Sequence, residues 1–189
     1  MAATIKDGIM RYLYNEKDGT FYKHINVEKD GTITIDKTID ISSIYGVYKF
    51  GVLKHDDEIL KKAFDIFSGR LGVKTPIGGI VRLEGDQYHS FGGNVPGNPW
   101  FITTLWQTQY LIEFLRKESE LPDIVKRFSW VVEKALPSGV LSEQLNPYNG
   151  EQVSAAPLIW SHAEYVITII QYLEKLEELD ICKACYPIA

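Results

Sequence analysis

Residues 78–100 bring together a guanidinium, two carboxylates and aromatic rings: Arg82, Glu84, Asp86, Tyr88 and Trp100. A guanidinium donates two parallel hydrogen bonds in a fixed fork, which suits a pair of neighbouring sugar hydroxyls. A tryptophan ring offers a flat apolar surface for one face of a pyranose. The same content also suits an ordinary surface hairpin with a capped helix behind it. A second candidate is Glu143, which follows the apolar pair Val140-Leu141 by two residues and precedes the turn-rich run Asn146-Pro147-Tyr148-Asn149-Gly150. A carboxylate on such a loop either points into a cavity or is solvated. The third group, Trp160, His162 and Glu164, falls at the start of a helix after Pro157. Trp160 fits a core position there, and His162 fits either a general base or a structural histidine.

Cys182 and Cys185 form one C-x-x-C near the C-terminus. This is half the ligand set of a structural zinc site. A redox motif belongs in a βαβ pattern, which is absent. Two tail thiols are the expected reading, with no metal and no cofactor.

Helices must position these residues. Apolar periodicity predicts six of them. The first covers about 4–14, with Ile5, Ile9 and Leu13 on one stripe, and the second covers 39–52. The third, 57–71, repeats Ile59, Leu60, Ala63, Phe64 and Phe67. For the fourth, 98–117, Asn98 reads as the cap and Pro99 as the first helical residue. It is apolar nearly all round, the pattern of a buried helix. The fifth follows Pro122 and stops at Pro137 and Gly139, and the sixth follows Pro157. One small hairpin is expected at 21–27 and 32–35 around Asp30-Gly31. A second is expected within 80–91, turning at Gly85-Asp86. Long and short connections alternate, and no linker divides residues 1–189, so one domain is expected.

The chain has a net charge of −5 and no basic block, which argues against nucleic acid and anionic membrane surfaces as partners. No apolar run reaches the length of a membrane span. The N-terminus lacks a signal-peptide core. With few cysteines, a cytoplasmic location is expected.

Three runs resemble family 15 glycoside hydrolases, the glucoamylases and their relatives. Gly97-Asn98-Pro99-Trp100-Phe101-Ile102-Thr103-Thr104-Leu105-Trp106 is similar to their GNPWF…TLW motif. Ser142-Glu143-Gln144 is similar to their SEQ base motif, and Leu158-Ile159-Trp160-Ser161-His162-Ala163-Glu164 to their LTWSHAE helix start. Ile159 stands where threonine is usual. The resemblance covers roughly residues 21–173. It implies an all-α fold, half of an (α/α)6 toroid with one or two small hairpins in its loops.

The resemblance also implies roles. Glu143 is the general base of an inverting hydrolase acting on α-glucans, with maltodextrin or starch ends as substrate. Arg82 and Asp86 bind glucose hydroxyls, Tyr88 and Trp100 line neighbouring subsites, Gln144 binds substrate, and Trp160 shapes the floor near the base. The family's general acid lies on a loop between the fifth and sixth helices of the toroid, which would precede Met1, so this chain alone is expected to show trace activity at most. Glu84, Asp86 and Glu164 are poor replacements for that acid. A trehalase-like hydrolase and a non-catalytic glucan- or partner-binding helical module are the alternatives. Half a toroid would expose apolar edges near 5–13, 159–173 and one side of the fourth helix. A homodimer or the missing N-terminal half would cover them.

Overall fold

Six α-helices form where the apolar stripes place them, and a computed structural model describes them over residues 2–182. Helix α1 (Ala2–Tyr12) leads into two antiparallel ribbons. These are β1 (Tyr14–Asn15) with β2 (Thr20–Phe21), and β3 (His24–Val27) with β4 (Ile33–Asp36). Helices α2 (Ile41–Lys49) and α3 (Glu58–Leu71) follow. Then come β5 (Ile80–Val81), β6 (Pro99–Trp100) and α4 (Phe101–Glu113). The chain continues through α5 (Leu121–Lys134), β7 (Gln144–Leu145), β8 (Gln152–Val153) and α6 (Ile159–Glu178).

Local chemistry sets several boundaries. The Asp40 carboxylate accepts from Ser42 N at 2.9 Å, and Asp57 accepts from Ile59 N at 2.9 Å, capping α2 and α3. Pro122 sits in the first turn of α5, where its missing N–H costs nothing. Asp30 accepts from Thr32 N at 2.9 Å, and Gly31 has a φ of +85°, so the β3–β4 turn forms as expected.

The first hairpin is shorter than expected, because Phe21 pairs with Tyr14 instead and is 2% exposed. Tyr14 is drawn into that ribbon, so α1 ends before it. The hairpin expected within 80–91 does not form. Ile80 pairs with Trp100 and Val81 with Pro99, while Gly85 N donates to Pro96 O. The partner strand lies about one loop further along the chain than a local turn signal can show. For the same reason α4 starts at Phe101 and not at Asn98. Pro99 and Trp100 are extended because they are a strand, and the Asn98 side chain bonds His89 O and Gln144 Oε1 in place of a helix end.

Helix α4 is the centre of the molecule. Every residue from Phe101 to Tyr110 is buried. On one side Ile102, Trp106 and Tyr110 join Ile44, Val47, Leu60, Phe64 and Phe67 of α2 and α3. On another, Phe101 and Leu105 meet Val131, Leu141 and Leu145. It packs most extensively on α6. The expected open side of the fourth helix is therefore absent, because α2, α3, α5 and α6 together enclose it. The other two expected edges are present. Helix α1 has no buried residue, and Ile159, Val166 and Ile167 are exposed on α6. Cys182 is in a disulfide, which corrects the expectation of two tail thiols; Cys185 lies outside the described residues. None of the described helices is long and apolar enough to cross a membrane.

Candidate active site

A four-stranded antiparallel sheet in the order β5-β6-β7-β8 ties the candidate loops together. Trp100 is paired with Ile80 on one side and Gln144 on the other. Trp100 and Gln144, distant in sequence, thus belong to one ribbon, and Arg82 directly follows its strand β5.

The Arg82 guanidinium lies 4.8 Å from the Trp100 ring centroid and 5.8 Å from that of Tyr88. Its Nη2 donates to Asp86 Oδ1 at 2.9 Å, and the same oxygen accepts from Tyr88 N at 3.0 Å. The Asp86 side chain is 4% exposed and that of Arg82 39%. Aromatic faces and a carboxylate thus hold the guanidinium plane while leaving part of it open. Glu84, two residues from each, has another task. Arg70 grips it in a fork at 2.5 and 2.7 Å, so it anchors the loop to α3.

Glu143 follows the same logic of loop anchoring. Its N–H donates to Ala155 O at 2.9 Å, and Ser154 Oγ donates to its Oε2. Ser154 has a φ of +66°, a left-handed conformation that non-glycine residues adopt at a cost of about 1–2 kcal/mol. Such strain concentrates at functional sites. The Glu143 loop is also sewn to α6. Ser161 Oγ donates to Ser142 O at 2.7 Å, and Leu158 N to Leu141 O at 2.9 Å. Leu141 N donates to His162 Nε2 at 3.1 Å. The His162 ring thereby spends its lone pair on the backbone and acts as a structural pin, the second of its two expected readings.

Trp160 belongs to a neighbouring group. Its Nε1 donates to Glu164 Oε1 at 3.0 Å, while Gln109 Nε2 donates to Glu164 Oε2 at 2.8 Å. The Trp160 ring meets Trp106 edge-on at 5.7 Å, and Trp106 stacks on Tyr45 at 4.1 Å. Burial raises the Tyr45 hydroxyl pKa, with the Glu164 charge adding to the effect. The hydroxyl stays protonated and donates to Gln109 Oε1 at 3.1 Å. Glu164 is 8% exposed with both oxygens occupied. That is the environment of a scaffold carboxylate.

The structure thus brings Arg82, Asp86, Tyr88 and Trp100 into one contact group, with Gln144 joined to Trp100 through the sheet. Trp160 sits in a second group. Glu143 neighbours Gln144 in the chain, and its loop is linked through Ser142 and Ser161 to the start of α6, which carries Trp160. Two clefts, of about 760 and 600 Å³, lie elsewhere, between α4 and α5 and beneath α1. No group of His, Cys, Asp and Glu that could hold a metal occurs among the described residues.

Sequence reasoning missed Asn98 and Ser154 as members of the site. Nothing local marks a serine for left-handed backbone. One collective signal appears only in three dimensions. Among the described residues, buried side-chain atoms without a hydrogen-bond partner include Arg82 Nε, Asp86 Oδ2, Asn98 Oδ1, Trp100 Nε1 and Gln144 Nε2. Each such atom costs about 1–3 kcal/mol, so their concentration on this sheet and its adjoining loops asks for an explanation beyond stability.

Comparison with known proteins supplies a context. The family model for glycosyl hydrolases family 15 matches residues 113–170. An uncharacterized glycosyl hydrolase of Methanocaldococcus jannaschii is 32% identical over 176 residues, spanning 88% of this chain and 26% of that protein. The fold matches a bacterial glucoamylase complexed with acarbose, with a TM-score of 0.69 and 22% identity over 97% of this chain and 30% of that one. It also matches Hormoconis resinae glucoamylase, with a TM-score of 0.60 and 19% identity over 88% of this chain and 36% of that one. This chain thus spans between about a quarter and two fifths of these relatives. Sequence and fold agree that it is a glycosyl hydrolase family 15 segment, whose fold resembles part of a glucoamylase.

Proposed function

We propose that this chain provides the general-base side of an inverting α-glucan hydrolase, with Glu143 as the base. The observation that carries the reading is the setting of Glu143. Its carboxylate is held through Oε2 by a strained Ser154, on a loop pinned to α6, one residue from a strand that pairs with Trp100. A base must be fixed relative to the water it activates. Ser154 fixes one oxygen and leaves the other to take the proton.

Inverting hydrolysis places two carboxyl groups about 6.5–9.5 Å apart across the anomeric carbon. One protonates the leaving oxygen as the bond breaks; the other takes a proton from the water attacking the opposite face. The acid comes from outside residues 1–189, in the other half of a toroid of which these six helices form one part. In this reading Arg82 and Asp86 bind glucose hydroxyls, Gln144 donates beside the base, and Tyr88 and Trp100 form the ring surfaces. Trp160, held by Glu164, shapes the floor. The acarbose bound by the bacterial glucoamylase favours an α-glucan end as substrate. The exposed apolar faces of α1 and α6 are where the rest of the toroid, or a second copy, packs.

The test is Glu143→Gln in the full-length protein, which keeps size and removes the base. Maltose hydrolysis falls about 10²–10⁴-fold while acarbose still binds. The first glucose released by the wild type is the β-anomer, read by proton NMR. A variant with undiminished turnover overturns the assignment of Glu143, and an α-anomer overturns inversion. The isolated 1–189 chain shows trace hydrolysis at most, and turnover matching the full-length protein contradicts the missing acid.

A further inference from the structure

The orientation of the Gln144 side chain is fixed by a chain of obligatory hydrogen bonds that ends on a backbone carbonyl. Asn98 Nδ2 donates to His89 O at 2.9 Å and to Gln144 Oε1 at 2.8 Å. Asn98 is 1% exposed and Gln144 0%. A carbonyl can only accept, so His89 O requires the NH2 end of Asn98 to face it. That NH2 then requires an oxygen from Gln144. Gln144 is left presenting its own NH2, a buried donor that finds no partner among the described residues. His89 has a φ of +54°, so the carbonyl that starts the relay stands in strained backbone.

Helix capping does not explain Asn98, because its side chain makes no bond to α4. Its alternative value lies in polarity. An amide side chain can turn over, exchanging donor for acceptor with little change of shape. At a position beside Glu143, that exchange would present a second oxygen where the proposed site needs an N–H. We infer that Asn98 is a positioning residue. It acts through Gln144, holding the Gln144 amide so that a donor and not an acceptor faces the sugar-binding side of the sheet. This inference rests on the reading of the site as a glucan hydrolase, but the orientation of the amide is testable without any sugar.

The experiment compares wild type with Asn98→Asp and Gln144→Glu in the full-length protein. Asn98→Asp is isosteric and replaces the donor facing His89 O and Gln144 Oε1 by an acceptor, so Gln144 turns over. Gln144→Glu keeps the bond from Asn98 and places an oxygen at the free end directly. Both variants therefore weaken acarbose binding to a similar extent, about tenfold, the equivalent of one hydrogen bond. In a Gln144→Met background, Asn98→Asp adds less than twofold. Selective 15N labelling of glutamine side chains reads the orientation independently: the Gln144 amide signals move in Asn98→Asp. Where Asn98→Asp does not fold, Asn98→Ala, which removes the donor to Gln144 Oε1, replaces it in the same measurements. Unchanged Gln144 signals overturn the inference, as does an equal loss of affinity in the Gln144→Met background. Failure of the wild type to bind acarbose overturns the functional reading alone, and the amide signals still decide the role of Asn98.

Discussion

The sheet bearing Arg82, Trp100 and Gln144 and the helical cluster around Glu164 are neighbours built on opposite principles. On the sheet and the loops that enter it, five buried polar atoms, on Arg82, Asp86, Asn98, Trp100 and Gln144, lack partners among the described residues, as does Gln152 Oε1 on β8, and a guanidinium remains partly open. Around Glu164, both carboxylate oxygens, the Trp160 indole and both ends of the Gln109 amide are bonded within the cluster, and only the Trp106 indole N–H beside them is buried without a partner among the described residues. One region holds most of the buried polar atoms without a partner among the described residues, and the other uses mostly satisfied groups to hold a shape. Side chains of similar type, a carboxylate beside a tryptophan, serve both ends. What separates them is whether the hydrogen-bonding capacity is used up inside the protein.

Breaking the satisfied cluster has the largest effect on stability. Glu164→Ala removes the acceptor of the half-exposed Trp160 Nε1 and one of the two acceptors of buried Gln109 Nε2, which keeps Thr168 Oγ1, so the loss is roughly 1–3 kcal/mol. Urea unfolding of the 1–189 chain reads it. A change below half a unit on that scale would show that the cluster is not holding the helices.

On the sheet the same kind of change is cheaper. Trp100→Phe removes a buried N–H that has no partner, which offsets part of the packing lost with the smaller ring. The net change stays within about 1 kcal/mol, while acarbose affinity of the full-length protein falls several-fold. A loss as large as that of Glu164→Ala would erase the distinction between the two regions.

The finest test lies at Ser154. Both Ser154→Ala and Ser154→Gly remove the hydroxyl from Glu143. Only glycine relieves the left-handed backbone, so Ser154→Gly is more stable than Ser154→Ala by about 1 kcal/mol. Equal stabilities would mean that no strain is stored beside Glu143.

The helices were legible in sequence because each carries its own apolar stripe. Phe101, Leu105, Trp106 and Tyr110 announce a buried helix from one window of residues, and α4 is buried all round. The site was legible only in part, because its geometry is non-local. Asn98-Pro99 reads as a cap and first turn by every local rule, yet pairing of Trp100 with both Ile80 and Gln144 overrides that rule. The Gly85-Asp86 turn was sound as a turn signal, but the strand it should have returned lay elsewhere. Arg82, Asp86 and Tyr88 stand out by the residue types gathered in one loop, Gln144 through motif resemblance, and none of them through periodicity. The structure then supplied what the motifs could not: the mutual contacts of Arg82, Asp86, Tyr88 and Trp100, and the divorce of Glu84 from them by Arg70.

The central claim is that the unsatisfied sheet and Glu143 face one sugar-binding centre. A crystal structure of the full-length protein with acarbose tests it most directly. The account predicts the inhibitor's terminal ring against Arg82 and Trp100, within hydrogen-bond reach of Gln144, with the Glu143 carboxylate across from the acid supplied by the rest of the toroid. Acarbose seated instead in the cleft between α4 and α5, or on the sheet with Glu143 turned away from it, would contradict that claim.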